Sequence, residues 1–167
     1  MNGLRKTLAA TGMCLLAVVV LAAEDARLLR LTPAEIAAQA KGGAGPGTSG
    51  VSGILTTTLS GDPRKAGPYT IEIRVPPNTR IQAHTHRDER TAVVVAGRWF
   101  FGYGTKANEA LVKELPAGSF YTEPANVAHF ALTRGEGAVV YISGFGPTDT
   151  VYTAAANTPA DQTAHKE

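Results

Sequence analysis

The chain has 167 residues, with 16 lysines and arginines against 14 aspartates and glutamates, and a single cysteine, Cys14. Two of the basic residues and the cysteine lie within residues 1–23. The rest of the chain is therefore close to neutral, so its charge gives no argument for a nucleic acid or membrane surface, and no nucleic-acid partner is expected. It also lacks an intrachain disulfide and a thiolate ligand or nucleophile. Its length is sufficient for one domain with a hydrophobic core.

Residues 1–23 have the layout of a secretory signal peptide. Arg5 and Lys6 give a basic start, residues 8–21 form an apolar centre, and Ala22 and Ala23 give a small-residue exit. The apolar centre is shorter than the roughly 20 residues that a membrane-spanning helix needs. We therefore predict cleavage of residues 1–23 and export to the periplasm or the exterior. No stable membrane insertion is expected after cleavage.

Residues 24–50 are predicted to form a short helical arm and a Gly-rich linker. Thr32 suits a helix N-cap, Pro33 suits the first helical position, and Glu35 completes a capping box, which together predict a helix over residues 31–40. The following KGGAGPGTSG stretch is typical of a linker. The arm either packs on a partner subunit or is a loosely attached terminal segment.

Residues 51–152 carry short alternating segments separated by turn residues, which is the pattern of an antiparallel sandwich or barrel. No helical periodicity interrupts them. The tail, residues 153–167, has no periodicity and is predicted to be disordered. The predicted strands cover residues 54–59, 69–75, 91–96, 98–103, 110–115, 119–122, 128–133 and 138–143.

Histidines are the candidate metal ligands of this chain. His84 and His86 are two residues apart, so an extended strand presents both side chains on one face. His129 follows some forty residues later in a similar setting. The spacing raises the possibility that three imidazoles converge on one ion.

The sequence around these histidines resembles the two motifs of the cupin superfamily. The first motif has a glycine, His-x-His, a glutamate and a final glycine at fixed spacing. His84, His86 and Gly97 stand in their places, while Asn78 replaces the initial glycine. Arg90 stands where the family has its glutamate.

In the second motif, Gly118, Pro124 and His129 are correctly spaced, while Asn126 and Thr133 replace a glycine and an asparagine. The resemblance implies an all-β fold, a single antiparallel jelly-roll β-barrel preceded by the short helical arm. It also implies that the three histidines point into the barrel and bind a divalent metal ion, either Fe, Mn, Zn, Ni or Cu. Cupins commonly form homodimers, and the resemblance implies the same here.

Arg90 changes what the site is expected to do, because a guanidinium has no acceptor and cannot bind a metal. Three outcomes follow. The three histidines keep the metal, and Arg90 lies beside it or anchors an anionic substrate. Alternatively, Glu89 becomes a metal ligand through a local bulge. Otherwise the metal is lost, and the barrel binds an anion around Arg90. A buried arginine requires an anionic partner, and Asp88 and Glu123 are the candidates within the chain.

The candidate catalytic residue is Arg90, acting on a small-molecule ligand. Arg90 is also a candidate substrate-binding residue, together with Gln82, Tyr103 and Tyr121. Gln82 has the strand parity of the histidine pair, and Tyr103 shares a strand face with other aromatic residues.

Two function classes are implied. The first is a metal-dependent, dioxygenase-like enzyme that acts on a small enolic or anionic substrate. The second is a cupin that binds a small anion or a metal without turnover. The fold alone does not choose between them.

The sequence generates one direct prediction. Replacing Arg90 by glutamate restores the ligand that the family has at this position, so Arg90→Glu is expected to tighten metal binding. Isothermal titration with Zn²⁺ measures the change. An unaltered affinity would mean that Arg90 lies away from the metal.

Overall fold

The computed structural model describes residues 28–43 and 45–159. The signal peptide predicted at residues 1–23 and the end of the predicted tail, residues 160–167, lie outside the described residues, so cleavage and export stay predictions. The chain divides into the units Met1–Arg30 and Leu31–Glu167, and the description below concerns the second. Within the described ranges, no helix is long and apolar enough to cross a membrane.

Helix α1, Pro33–Gln39, begins at the predicted capping box. The Thr32 hydroxyl accepts a hydrogen bond from the Glu35 amide, and the Glu35 carboxylate accepts one from the Thr32 amide at 2.7 Å. The helix buries Ile36, whose carbonyl accepts a hydrogen bond from the Thr57 hydroxyl at 3.3 Å. The helix therefore packs on its own chain, and the prediction of a loosely attached segment is wrong here.

Ten strands follow the helix in the described part of the chain, and all of their pairings are antiparallel. They are β1 (Lys41–Gly42), β2 (Leu55–Ser60), β3 (Gly67–Val75), β4 (Arg80–Thr85), β5 (Arg90–Tyr103), β6 (Lys113–Pro116), β7 (Phe120–Glu123), β8 (His129–Leu132), β9 (Ala138–Gly146) and β10 (Val151–Tyr152). The sheet order is β1-β2-β3-β9-β5-β8-β4-β10, with β6 and β7 also paired to β5. This sheet is curled into a half-barrel with one short helix before it, which confirms the predicted all-β class.

Strand β5 belongs to both halves of the curled sheet. Up to Gly97 it pairs with β7 and β9, and from Arg98 it pairs with β6 and β8. The sequence predicts two strands here, whereas the structure has a single strand of 14 residues. Gly97 has a φ of +73°, and the register against β9 shifts between Val94 and Ala96. The left-handed glycine and the bulge let one strand serve both sheets.

The interior is filled by apolar side chains, as alternation along the strands predicts. On β3, Tyr69, Ile71, Ile73 and Val75 are all buried members of one core cluster. Val140, on the neighbouring β9, has no exposed surface. Tight packing of this kind holds the residues that line the interior in fixed positions and leaves little room for water around them.

The Gly-rich segment differs from the expectation of an unpacked linker. Residues 47–50 are buried, and the Tyr152 hydroxyl donates a hydrogen bond to the Ser49 carbonyl at 2.6 Å. Glycine-rich composition allows a segment to be flexible, but it also lets a backbone approach a neighbour closely. Here the second property prevails.

Two further segments differ from the sequence-based expectations. The strand predicted at residues 110–115 is shorter, because a 3₁₀ helix at Glu109–Leu111 precedes β6. Residues 153–159 of the tail have defined structure, including a 3₁₀ helix at Ala155–Asn157. The Thr153 hydroxyl holds this stretch to the barrel by donating to the Ala83 carbonyl at 3.0 Å.

We expect Gly97→Ala to lower the free energy of unfolding by about 2 to 4 kcal/mol. An added Cβ would lie 1.9 Å from the Gly137 carbonyl oxygen. Gly118→Ala is the matched control, because its φ of +87° is also left-handed while nothing lies within 4 Å of the added Cβ. Backbone strain alone predicts a loss of about 1 to 2 kcal/mol there. Equal losses in urea unfolding would contradict the close approach at Gly97.

Candidate metal centre

Three histidines come together inside the half-barrel. His84 on β4 lies directly opposite His129 on β8, and His86 follows the end of β4. All three side chains are buried, and one ring nitrogen of each lies within 4.8 Å of the other two. The ring centroids are 4.5 to 5.1 Å apart. The structure thus brings together the three residues that the sequence selects as candidate ligands.

Backbone carbonyls fix the tautomer of each imidazole. The Nδ1 atoms of His84, His86 and His129 lie 2.7, 2.5 and 3.0 Å from the carbonyl oxygens of Gln82, Asp149 and Val127, respectively. A carbonyl only accepts, so we assign the proton of each neutral ring to Nδ1. Nε2 then carries the lone pair, which is the form in which histidine binds a metal.

Burial keeps these imidazoles neutral. Burial, followed by the neighbouring His129, lowers the pKa of His84 to about 3. Burial and then the Arg90 charge lower the pKa of His86 well below its ordinary value. Burial also lowers the pKa of His129, although Glu123 opposes this shift. At neutral pH, the cluster therefore presents lone pairs rather than cations.

The Nε2 atom of His129 is buried without a hydrogen-bond partner within the described residues. A buried polar atom without a partner is costly and calls for an explanation such as a bound ion. Neutral imidazole nitrogens are suitable ligands for the divalent transition metals. The donor set and the unpartnered nitrogen both fit a metal ion at this position.

Arg90 lies beside the cluster and is 3% exposed. Its Nε donates to Glu123 Oε2 at 2.6 Å, and Nη2 contacts the same oxygen. Nη1 donates to the Gly47 carbonyl at 2.8 Å, and Nη2 donates to His86 Nε2 at 2.5 Å. The internal salt bridge considered for Arg90 is therefore present, and Glu123 rather than Asp88 provides it.

Both members of this buried pair are charged. Burial has the largest single effect and raises the pKa of Glu123, but the charge and hydrogen bond of Arg90, together with His129 and His84, make the net shift downward. Burial has the largest single effect and lowers the pKa of Arg90, but Glu123, together with Tyr69 and Asp88, makes the net shift upward. Asp88 has different partners, because it accepts hydrogen bonds from the hydroxyls of Tyr69 and Thr148 at 2.7 and 2.5 Å.

The metal role considered for Glu89 is contradicted by its position. Glu89 is exposed, whereas Asp88 and Arg90 on either side of it are buried. Strand-like alternation turns its side chain away from the histidines, and the bulge that would turn it inward is absent there. The register shift in β5 comes later, between Val94 and Ala96.

Two of the four predicted substrate-binding residues also lie away from the histidine cavity. On β4, the register against β8 shifts between Ile81 and His84, so these two residues line the cavity and the Gln82 side chain does not. Only the Gln82 carbonyl reaches the cluster, through His84 Nδ1. Tyr103 is 47% exposed, and its hydroxyl donates to the Thr122 carbonyl at 2.7 Å.

Tyr121 and Arg90 are the predicted substrate-binding residues that do line the cavity. The Tyr121 hydroxyl accepts a hydrogen bond from Trp99 Nε1 at 3.2 Å. Burial, with the nearby Glu123 charge, raises the pKa of Tyr121 well above its ordinary value, so the phenol stays protonated. It is available as a neutral hydroxyl group facing the site.

The Gly-rich segment closes the cavity. We call residues 47–49 the strap. Its three successive carbonyls each accept a hydrogen bond from a barrel side chain, at 2.8, 2.9 and 2.6 Å. The pairs are Arg90 Nη1 with Gly47, Thr150 Oγ1 with Thr48, and Tyr152 Oη with Ser49. The cavity that the strap lines has a volume of about 30 Å³, room for one or two water molecules.

Sequence reasoning missed the strap and its donors. A run of glycines has the same appearance whether it is loose or packed, so the sequence carries no signal for the strap. Glu123 was considered only as a salt-bridge partner, although it lies 3.8 Å from His86 Nε2 and 3.7 Å from His129 Nε2. Its position immediately before Pro124 of the second motif was the available signal.

Comparisons with known proteins agree with the fold. No family model and no curated protein matches the sequence. Among solved structures, the chain is similar to the polyketide cyclase RemF from Streptomyces resistomycificus. The identity is 15% over 83% of this chain and 94% of that chain, with a TM-score of 0.58. It is also similar to a cupin 2 conserved barrel domain protein from Rhodopseudomonas palustris. That identity is 14% over 62% and 69% of the two chains, with a TM-score of 0.50.

A structure of the DMSP lyases RdDddP and RnDddQII also matches, with 21% identity over 56% of this chain and a TM-score of 0.48. The match spans 47% of that longer chain, about half its length. Other matching structures are named as RmlC-like cupins. The two matches with TM-scores of 0.58 and 0.50 confirm the fold that the resemblance to the cupin superfamily implies. At these identities, the similarity shows the fold.

The metal-free protein is expected to lose stability as the pH falls from 7 to 5. Histidine in an unfolded chain has a pKa near 6.5, whereas folded His84 has a pKa of about 3. Protons therefore bind the unfolded state first and favour it. His84 alone accounts for about 2 kcal/mol over this interval. The pKa values of His86 and His129 shift in the same direction and add to the loss.

Urea unfolding at several pH values, with a chelator present, measures this dependence. His84→Asn should reduce the slope, while His165→Asn, at the fourth histidine of the chain, should leave it nearly unchanged. A free energy of unfolding that does not change between pH 7 and pH 5 would contradict the neutral, buried state of the cluster.

Proposed function

We propose that this chain, which has the cupin fold, binds one divalent metal ion through Nε2 of His84, His86 and His129. The observation that carries the proposal is the convergence of three buried, neutral imidazoles whose Nδ1 protons are all committed to backbone carbonyls. This arrangement leaves the Nε2 atoms of His84 and His129 without a proton, and that of His86 accepts its hydrogen bond from Arg90. The unpartnered Nε2 of His129 adds to it.

The donor set limits the metal without naming it. Imidazole ligands suit Fe, Mn, Zn, Ni and Cu, and raw affinity does not choose among them. When bound, such an ion polarises the oxygen atoms of a coordinated ligand as a Lewis acid. The protein supplies the remaining features, which are a small cavity, a buried cation at Arg90 and the neutral hydroxyl of Tyr121.

A catalytic function is the second candidate, namely a dioxygenase-like reaction on a small enolic or anionic substrate. One observation favours it. The Gly47 carbonyl oxygen accepts a hydrogen bond from Arg90 at the wall of the cavity. If the strap moves away, this donor becomes available to an oxygen atom of an anionic substrate. With the strap in place, a cavity of about 30 Å³ admits only a ligand of about the size of water.

The catalytic function therefore requires the strap to move so that a substrate can enter. Binding of a metal ion alone does not require this movement. Three side chain to backbone hydrogen bonds hold the strap, each contributing roughly 0.5 to 1.5 kcal/mol. Local opening at this cost is within the ordinary range of loop motions. Export and homodimer formation stay predictions from the sequence and the resemblance.

We expect the purified protein to bind about one divalent ion per chain after reconstitution with Zn²⁺, Mn²⁺ or Fe²⁺. His84→Ala or His129→Ala should abolish binding, because each removes one of three ligands. His165→Ala is the control that should retain one ion. Elemental analysis of the dialysed proteins, with circular dichroism to verify folding, measures the outcome.

Absence of metal from the reconstituted protein, or full loading of both cluster variants, would refute the metal site. Oxygen-consumption assays on small enolic substrates with the loaded protein then separate the two candidates. Turnover that is lost in His129→Ala supports the enzyme, and its absence with the metal bound supports the binding protein.

A further inference from the structure

We propose that Glu123 is an acidic ligand of this metal site, and that Arg90 holds the site in its metal-free form until a divalent ion displaces it from His86. The inference rests on the proposed metal-binding function and assigns roles to two residues that the histidine cluster does not include. The inference follows from the register of β5 and β7, from the distances around Glu123 Oε2, and from the contacts of Arg90 Nη2.

Strand register places the acid opposite the arginine. Arg90 on β5 is directly paired with Glu123 on β7, and the two side chains are 3% and 4% exposed. Position 90 is where the first motif has its glutamate. The carboxylate of Glu123 therefore lies opposite that position, on the neighbouring strand. A carboxylate at this position reaches the same cluster from the neighbouring strand.

Distances then place Glu123 within reach of an ion held by the histidines. Glu123 Oε2 lies 3.8 Å from His86 Nε2 and 3.7 Å from His129 Nε2. Metal bonds to imidazole nitrogen and carboxylate oxygen are about 2.0 to 2.2 Å long, so two such ligands on one ion lie roughly 3 to 3.5 Å apart. The two observed distances exceed this range by less than about 1 Å.

Arg90 Nη2 lies between a histidine lone pair and this carboxylate. It contacts both His86 Nε2, at 2.5 Å, and Glu123 Oε2. An ion shared by these two atoms would occupy much the same place. The Nε2 lone pair of a neutral imidazole either accepts a hydrogen bond or binds a metal. Metal binding by His86 and its hydrogen bond from Arg90 therefore exclude each other.

Charge supports the same assignment. Three neutral histidines and a divalent ion beside a permanent arginine cation leave the site strongly positive, which opposes metal binding. Glu123 supplies the compensating negative charge. Its carboxylate has two oxygens, so one can bind the ion while the other remains a hydrogen-bond acceptor for Arg90. Arg90 also keeps the Gly47 carbonyl as an acceptor for Nη1.

The test compares variants that differ only at position 123 and lack Arg90. Glu123→Gln alone is unsuitable because it leaves the buried arginine unpaired even when an ion is bound, whereas in Arg90→Gln a bound ion would itself pair with Glu123. Arg90→Gln should bind Zn²⁺ at least about tenfold more tightly than the wild type, because the competing donor and its charge are gone. The double variant Arg90→Gln/Glu123→Gln should bind at least about tenfold more weakly than Arg90→Gln. Isothermal titration measures the affinities.

A matched control comes from a second, partly buried ion pair of the sheet. Arg74 Nε donates to Glu72 Oε1 at 2.7 Å, and Glu72 is 2% exposed. Glu72→Gln/Arg74→Gln should lower the stability without changing the Zn²⁺ affinity. Equal Zn²⁺ affinities of Arg90→Gln and the double variant would overturn the role of Glu123. An Arg90→Gln affinity no higher than that of the wild type would overturn the role of Arg90.

If Arg90→Gln does not fold, a measurement on the protein with Arg90 and Glu123 intact tests whether Glu123 binds the ion. Infrared difference spectra on Zn²⁺ addition, with and without ¹³C-labelled glutamate, should show a label-sensitive carboxylate band. The band should persist in Glu89→Gln, since Glu89 is exposed. One bound Zn²⁺ without such a band would overturn the inference while leaving the histidine site intact. No bound Zn²⁺ in either the wild type or Arg90→Gln would refute the metal site and the inference together.

Discussion

The buried pair of Arg90 and Glu123 is the interaction on which the candidate site depends. A charged guanidinium in a barrel interior is tolerated only when its donors are satisfied. Here they are satisfied by a carboxylate on the neighbouring strand, the backbone carbonyl of Gly47 and the Nε2 atom of His86. One side chain therefore joins β5, β7, the strap and the end of β4. Removing either charge alone would leave the other unpaired.

This connection gives the site two distinct halves. His84 and His129 face each other across β4 and β8, and the Nε2 atom of His129 is unpartnered among the described residues. His86 instead gives its Nε2 lone pair to Arg90. The guanidinium therefore contacts the cluster directly at His86, and it reaches the surroundings of His129 through Glu123. The strap above it determines what size of ligand can enter, because its backbone lines the same cavity.

Much of the site could be predicted from local sequence. Alternation placed His84 and His86 on one face, and motif spacing added His129 and the cupin fold. Local alternation failed at Gln82, because a register shift between Ile81 and His84 changes the parity of β4. It held at Glu89, where it kept the carboxylate exposed. A bulge depends on how two strands pair, so it cannot be predicted from the residues of one strand alone.

The sequence by itself determined the all-β class, the helix cap, the three histidines and the presence of an arginine in place of an acid. Each of these depends on residue chemistry or on spacing within a short stretch. Only the tertiary structure decided that Glu123 is the partner of Arg90 and that a glycine-rich stretch covers the cavity. Both follow from strand register and from contacts between residues far apart in the chain, such as Gly47 with Arg90 and Ser49 with Tyr152. Contacts of this range depend on how the whole sheet curls, which no local pattern encodes.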